Sequence, residues 1–145
     1  MNVSLIPATV TDRIAVINLL NILNLPSTDL PEPLDNFIIV KNADTVVGTC
    51  GLEIYGTVAL LRSLAVVPDN QGRGFGDGLL QATLELAKEK GVHDVYLITT
   101  TAANFFAKRG FTQVKRSLVP VAIQNTTQFS LVCPASATVM NRLMV

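Results

Sequence analysis

The strongest chemical signal in this sequence is a glycine-rich segment between an apolar run and a predicted helix. Four of the seven residues from 72 to 78 are glycine, so the backbone there can approach a ligand closely. A helix that begins directly after such a turn presents unpaired N–H groups at its positive end, where phosphate groups bind. The residues of this predicted phosphate-binding turn are Gln71, Gly72, Arg73, Gly74, Phe75, Gly76 and Asp77.

The glycine spacing excludes the two commonest phosphate-binding motifs. The P-loop requires Gly-Lys followed by Ser or Thr, which does not occur in this segment. The dinucleotide pattern G-x-G-x-x-G requires a third glycine at position 77 or 79, where the sequence has Asp77 and Leu79. The spacing does fit a different pattern, Q/R-x-x-G-x-G/A, through Gln71, Gly74 and Gly76.

One arginine interrupts the apolar run over residues 58–67, which otherwise predicts a central strand that is buried on both faces. The charge of Arg62 therefore needs a partner or water. Arg62 could pair with Glu53 across neighbouring strands, or its planar fork could bind a substrate carboxylate through two hydrogen bonds. The sequence leaves both alternatives open.

The composition removes several classes of function. The chain has 145 residues with 11 basic and 11 acidic side chains and no basic cluster, so no nucleic-acid partner is expected. The single His93 and the widely separated Cys50 and Cys133 predict neither a metal site nor a catalytic triad. No basic leader and no apolar run of about 18 residues are present, which predicts a cytoplasmic protein without a membrane partner.

The elements that must position these residues follow the order of one mixed α/β domain over residues 1–145. Strands are predicted over residues 3–8, 37–41, 45–55, 58–67, 92–99, 111–115 and 137–143. Helices are predicted after Thr11 or Asp12, from the glycine turn to about residue 90, and over residues 102–108 and 120–129. The apolar positions of the first two helices are Ile14, Ile17, Leu20 and Leu23, and then Leu79, Leu80, Thr83, Leu84 and Ala87. Residues 25–34 form a proline-rich connector.

The apolar strand, the glycine turn, the following helix and the later Gly110-Phe111 pair together resemble the GNAT superfamily of N-acetyltransferases. Segments 25–30, 51–53, 61–66, 97–102, 105–106 and 133–134 are similar to the arsenic-resistance N-acetyltransferases and, in part, to the acetyltransferase domain of N-acetylglutamate synthases. The resemblance implies a mixed, mostly antiparallel sheet of six or seven strands with helices on both faces. It also implies acetyl-CoA as co-substrate, a small amino-acid-like amine as acceptor, and a link to arsenic resistance.

The resemblance also assigns roles to residues. The backbone of Leu64, Ala65 and Val66 is expected to pair with the pantetheine arm, and the N–H of Val66 to bind the thioester oxygen. The proline-rich connector overhangs the acceptor in this family, so Asp29 could meet the acceptor's ammonium. As a loop aspartate, Asp29 could equally be an ordinary turn residue. From its place after Gly51-Leu52, on a strand beside the central one, Glu53 is predicted to be the general base, because a primary ammonium must lose its proton before it attacks. Glu53 could equally be a solvated glutamate at the end of its strand.

One position departs from the family pattern. The tyrosine that commonly protonates the leaving thiolate is replaced by Phe106. A thiol with a pKa of about 8.5 can leave as the bare thiolate, so direct transfer stays the expected reaction. Tyr55 or Tyr96 could substitute if the fold brings one close. The alternative function is a catalytically silent sensor that binds acyl-CoA, and a metalloid-binding protein would depend on Cys133.

The last residues of the chain suggest how copies assemble. Residues 131–145 are apolar with few charges, and related folds often pair through their last strands. Because an exposed apolar sheet edge promotes association, the sequence predicts a homodimer.

Overall fold

The computed structural model describes residues 3–31, 33–72, 74–132 and 136–144. Within them seven strands form one sheet in the order β1-β2-β3-β4-β5-β7-β6. The strands are β1 (Val3–Pro7), β2 (Phe37–Asn42), β3 (Thr45–Tyr55), β4 (Val58–Val66), β5 (Asp94–Thr99), β6 (Thr112–Gln113) and β7 (Thr138–Leu143). The α-helices are α1 (Arg13–Ile22), α2 (Phe75–Glu89), α3 (Ala103–Ala107) and α4 (Val121–Gln124).

Strand pairing makes this sheet mixed and mostly antiparallel, as the sequence predicted. β1 with β2, β2 with β3, β5 with β7 and β6 with β7 all pair antiparallel. β4 and β5 pair in parallel, with Val58–Leu60 opposite Asp94–Tyr96. β5 pairs with β7 along its whole length, from Asp94 to Thr99.

The chain divides into two compact units, of which the first runs to Glu53 and resumes over Arg62–Leu86. Helix α1 buries Val16, Leu19 and Leu20, which lie on one face because they are three and four residues apart. The prediction that Ile14 lies on the apolar, buried face of this helix is wrong, since its side chain is 73% exposed. Ile14 precedes Val16 by two residues and therefore points about 200° around the helix from the buried face.

The second unit comprises Ile54–Leu61 and the chain from Ala87 onward. Its core is a hydrophobic cluster of Leu60, Tyr96, Val119, Ile123 and Val139. The predicted strands 92–99 and 111–115 are both shorter in the structure. Strand β5 begins later because the N–H of Val92 bonds to the Ala87 carbonyl oxygen at 2.9 Å and so completes the end of α2.

The predicted helix over residues 120–129 is interrupted. It consists of α4 and a separate π-helical segment, Gln128–Val132. Thr126 explains the break, because its hydroxyl donates to the Ile123 carbonyl oxygen at 2.7 Å and accepts from the N–H of Phe129 at 3.2 Å. These local bonds replace the backbone bonds of a continuous helix.

The last strand is internal to the sheet. β7 lies between β5 and β6, and its residues Val139 and Met140 are buried. These two residues therefore do not form the exposed apolar sheet edge from which the homodimer was predicted. No helix within the described ranges is long and apolar enough to cross a membrane.

Candidate functional site

The glycine turn has a backbone that favours glycine. Gly72 and Gly74 both have φ of +81°, in the left-handed region that side chains disfavour. A Cβ built on either residue would find no atom within 4 Å, so the space beside each Cα is open. Helix α2 begins at Phe75, directly after this open turn. Arg73, a predicted cofactor-binding residue, lies outside the described residues.

The turn is attached to the end of β4 by its own side chains and backbone. The Nε2 of Gln71 donates to the Val66 carbonyl oxygen at 2.9 Å, and a short 3-10 turn over Pro68–Asn70 connects the two segments. Gln71 therefore directs its amide to the chain's own backbone, where it fixes the turn relative to β4. Its predicted contact with a cofactor stays a prediction.

Helix α2 is anchored by the apolar face that the sequence predicted. Leu79, Leu80, Leu84 and Ala87 are buried, and the helix ends near Gly91, which has φ of +80°. These contacts hold the first turn of α2, including Gly76 and Asp77, next to the glycine turn.

A distortion in β4 was not predicted. Ser63 has φ of +61°, which no regular strand residue adopts. Arg62 is buried before it and Ala65 is buried after it, whereas Leu64 and Val66 are only half-buried. A left-handed residue within a strand is typical of a β-bulge, and Ser63 is the bulge residue of β4. Serine gave no signal for it, because glycine is the residue expected at positive φ.

The bulge lies next to a buried ionic cluster of Arg62, Asp29 and Glu53. The Nη1 of Arg62 donates to Asp29 Oδ2 at 2.9 Å and to Glu53 Oε2 at 2.6 Å, and its Nη2 donates to Asp29 Oδ1 at 2.9 Å. Nη1 also bonds to the Asp29 carbonyl oxygen at 3.2 Å, and Nε donates to the Ser63 hydroxyl at 3.0 Å. All three nitrogens of the guanidinium thus have acceptors within the chain.

The side chains of this ionic cluster are almost inaccessible to solvent. The side chain of Arg62 is 0% exposed and that of Asp29 is 3% exposed, while Glu53 reaches 14%. Burial acts to lower the pKa of Arg62, but hydrogen bonds to Asp29 and Glu53 outweigh it and raise the pKa above its ordinary value. Arg62 is therefore a fixed cation whose charge is matched inside the protein.

This geometry bears on the two alternatives for Arg62. It favours the ion pair with Glu53 over the binding of a substrate carboxylate, because the carboxylate of Asp29 already accepts from both Nη1 and Nη2 of Arg62. Both carboxylate oxygens of Asp29 accept from Arg62, and the predicted contact of Asp29 with the acceptor's ammonium stays a prediction. The pairing of Asp29 with Arg62 was missed, since the two residues are 33 apart and the connector has no periodic pattern.

The connector is held at a second point. Arg13 of α1 donates from Nη1 to the Pro31 carbonyl oxygen and from Nη2 to that of Leu30, the latter at 3.4 Å. Leu30 and Leu34 are themselves buried. The connector is thus fixed by two arginines and by apolar contacts, which the sequence did not indicate.

The position of the family's usual acid is apolar in its surroundings as well. Phe106 is buried, with its ring 5.1 Å from that of Phe105 and 5.6 Å from that of Phe111. Tyr96 lies in the core of the second unit, where burial and then the Asp94 carboxylate raise its pKa to about 12. Tyr55 is 37% exposed at the end of β3.

The cysteines offer no soft-metal site within the part of the chain that is described. Cys50 is fully buried, and burial raises the pKa of its thiol to about 12. Cys133, on which a metalloid site would depend, lies outside the described residues. No group of three or more His, Cys, Asp or Glu side chains that could hold a metal ion occurs in the described ranges.

Known proteins are similar to this sequence over about three fifths of its length. An uncharacterized N-acetyltransferase of Chlorobaculum tepidum, CT2212, is 27% identical over 93 residues, which make up 63% of this chain and 59% of that protein. The amino-acid acetyltransferase of Escherichia coli K12 is 28% identical over 93 residues, 63% of this chain and 21% of that protein. This chain thus spans about three fifths and one fifth of these curated relatives.

A solved structure shows the same fold. N-acetylglutamate synthase from Neisseria gonorrhoeae, complexed with coenzyme A and N-acetyl-glutamate, matches with a TM-score of 0.82 at 21% identity, over 99% of this chain and 35% of that chain. The profile of the acetyltransferase (GNAT) domain matches residues 33–113, more than half of the sequence. The chain therefore belongs to the GNAT acetyltransferase domain family, which confirms the family and the fold class predicted from the sequence.

Proposed function

We propose that this protein is an N-acetyltransferase that transfers an acetyl group directly from acetyl-CoA to the amine of a small, amino-acid-like acceptor. Membership of the acetyltransferase family supports the reaction. The amino-acid acetyltransferases among its relatives, and the complex of the similar Neisseria structure with N-acetyl-glutamate, support the acceptor class. The observation that carries the proposal is the open, left-handed glycine turn before α2.

The glycine turn fits the pyrophosphate of acetyl-CoA. Positive φ at Gly72 and Gly74, with open space beside each Cα, lets backbone N–H groups approach phosphate oxygens without a side chain between. The first turn of α2, with Phe75, Gly76 and Asp77, would add the positive end of a 15-residue helix. Acetyl-CoA would supply the activated thioester, and the protein would supply binding and orientation.

The proposed chemistry uses β3 and β4. Glu53, at 14% exposure the most accessible group of its cluster, would accept the proton of the acceptor's ammonium. The backbone of Leu64, Ala65 and Val66 follows the bulge at Ser63, and the N–H of Val66 would donate to the thioester oxygen. The aromatic cluster around Phe106 has no proton to give to a leaving thiolate, which would depart unassisted and then take up the second proton that the attacking nitrogen loses.

Binding of acetyl-CoA tests the glycine turn. Gly74→Val places a branched side chain at φ of +81° in the open space, so it should abolish detectable binding in calorimetric titration. Gly56→Val is the matched control, because Gly56 also has positive φ (+67°) and open surroundings but lies in the turn between β3 and β4. Unchanged affinity in Gly74→Val would remove the basis of the proposal.

A second candidate function is a sensor that binds acyl-CoA without turnover. The aromatic surroundings of Phe106 favour it, because the family's usual acid is missing there. The two candidates differ in thiol release. A sensor would bind acetyl-CoA tightly and release no thiol with any amine.

The proposal also covers the arsenic-resistance link, the cellular location and the oligomeric state of the protein. The likeness of segments 25–30 and 97–102 to arsenic-resistance N-acetyltransferases supports an organoarsenical amino acid as one acceptor to include in a screen. We also propose that each chain forms a single domain and that two chains assemble as a homodimer. The proposed location is the cytoplasm, and no nucleic-acid or membrane partner is proposed. Light scattering at micromolar concentration tests the dimer, and a monomer mass would contradict it.

A further inference from the structure

We infer that Arg62 is a positioning residue of the acetyl transfer: its buried guanidinium holds the proposed base Glu53 and the bulge residue Ser63 in place, with Asp29 as its internal counter-ion. This inference rests on the proposed function. It differs from the role of a carboxylate-binding arginine, in which Arg62 would touch the acceptor itself.

The guanidinium of Arg62 has no side open to a ligand. Asp29 accepts from Nη1 and Nη2 at 2.9 Å each, which is the two-bond arrangement that a substrate carboxylate would use. The side chains of Arg62 and Asp29 are 0% and 3% exposed. A substrate carboxylate could therefore reach Arg62 only by displacing a buried carboxylate of equal charge.

The guanidinium also connects the proposed base to the bulge. Nη1 donates to Glu53 Oε2 at 2.6 Å, and Nε donates to the hydroxyl of Ser63 at 3.0 Å. A glutamate side chain has several freely rotating bonds, so a short charge-assisted bond to a buried group restricts where its carboxylate lies. The same cation therefore orients the proposed base on β3 and the bulge that precedes Leu64–Val66 on β4.

Two arginines contact the connector, and they differ in what else they are bonded to in the structure. Arg13, on α1, donates to the connector carbonyl oxygens of Leu30 and Pro31. Arg62 contacts the connector through Asp29 but also contacts Glu53 and Ser63. A change at Arg13 thus disturbs these two bonds to the connector, whereas a change at Arg62 disturbs the bonds to Glu53 and Ser63 as well.

Steady-state kinetics of Arg62→Lys, with Arg13→Lys as matched control, test the inference. Lysine keeps the charge but cannot bridge Asp29, Glu53 and Ser63 at once, so kcat should fall roughly 10- to 100-fold. The KM for acetyl-CoA and the acceptor should change less than about threefold. Arg13→Lys should leave kcat within about twofold of wild type.

A double-mutant cycle shows whether Arg62 acts through Glu53. In the Glu53→Gln background, Arg62→Lys should lower kcat by a clearly smaller factor than it does in the wild-type background, because one of the two groups that it positions is already lost. Full multiplicative effects would overturn the inference. So would a rise in acceptor KM, at unchanged kcat, for an amino acid but not for the matching amine without a carboxylate.

A second variant keeps the test decisive if Arg62→Lys does not fold. Ser63→Ala removes one acceptor of the guanidinium and leaves all charges in place. It should lower kcat, and because the buried Nε–H loses its acceptor the melting temperature should also fall, by less than in Arg62→Lys. A Ser63→Ala protein with wild-type kcat would contradict the positioning role. If the wild-type protein itself transfers no acetyl group to any acceptor, the proposed function fails, which is distinguishable from failure of these variants alone.

Discussion

Removal of the Asp29 carboxylate should destabilise the first unit strongly. In Asp29→Ala the guanidinium of Arg62, which is 0% exposed, loses two charge-assisted hydrogen bonds of 2.9 Å and keeps Glu53 as its charged partner. Breaking a buried ion pair costs about 3–5 kcal/mol, and the remaining Glu53 places the expected loss near the lower end, about 3 kcal/mol. For a domain of this size each kcal/mol lowers the melting temperature by about 3 °C, so a shift of roughly 9 °C is expected.

Urea unfolding followed by circular dichroism measures this loss. Asp29→Asn is the matched control, because an amide of the same shape retains one oxygen acceptor for Nη2 and should lose less stability than alanine. The combined change Asp29→Leu with Arg62→Met removes both charges and should cost less than Asp29→Ala alone. An Asp29→Ala protein within about 0.5 kcal/mol of wild type would refute the reasoning, since it would mean that the buried charge of Arg62 does not depend on Asp29.

Three further predictions follow from packing and from burial of titratable groups. Gly51→Ala should cost about 1–3 kcal/mol in urea unfolding, because the new Cβ would lie 2.5 Å from the buried ring of Phe37; Gly78→Ala, whose Cβ would lie 3.5 Å from its nearest neighbour, should cost nothing. Cys50, with a pKa raised to about 12 by burial, should escape iodoacetamide in the native protein and react in denaturant, as peptide mapping would show. Tyr96 has a folded pKa of about 12 against about 10 when unfolded, so its contribution is complete below about pH 10 and is lost as the pH rises toward about 12. Wild type should therefore lose about 1 kcal/mol more stability than Tyr96→Phe between about pH 9 and 11, and equal losses would contradict this.

The elements that could be predicted are those whose residues follow a local sequence pattern, such as alternation, helical periodicity or clustered glycine. The strand predicted over residues 45–55 is β3 as observed, and the apolar stripe predicted after the glycine turn is the buried face of α2. Alternation and helical periodicity report directly on which face is buried. The glycine turn was recognisable because positive φ at Gly72 and Gly74 selects the one residue type that tolerates it.

The part that sequence reasoning missed depends on contacts between distant residues or on local competition. Asp29 and Arg62 meet across 33 positions, and nothing in the connector indicates which residue faces the sheet. The bulge at Ser63 is stabilised in part by the guanidinium of its neighbour, so the serine itself carries no signal. The break at Thr126 depends on a hydroxyl that competes with the helix backbone, which a period of 3.6 residues does not report.

Thiol release from acetyl-CoA, with mass spectrometry of the acceptor, tests the central claim most directly. The wild-type protein should release free coenzyme A in the presence of a panel of amino acids and amines, and one acceptor should gain a single acetyl group. Gly74→Val should show neither signal, while Gly56→Val should show both. Tight binding of acetyl-CoA by the wild-type protein without thiol release or an acetylated product, across amino acids, amines and organoarsenical amino acids, would contradict the account and leave the sensor function in its place.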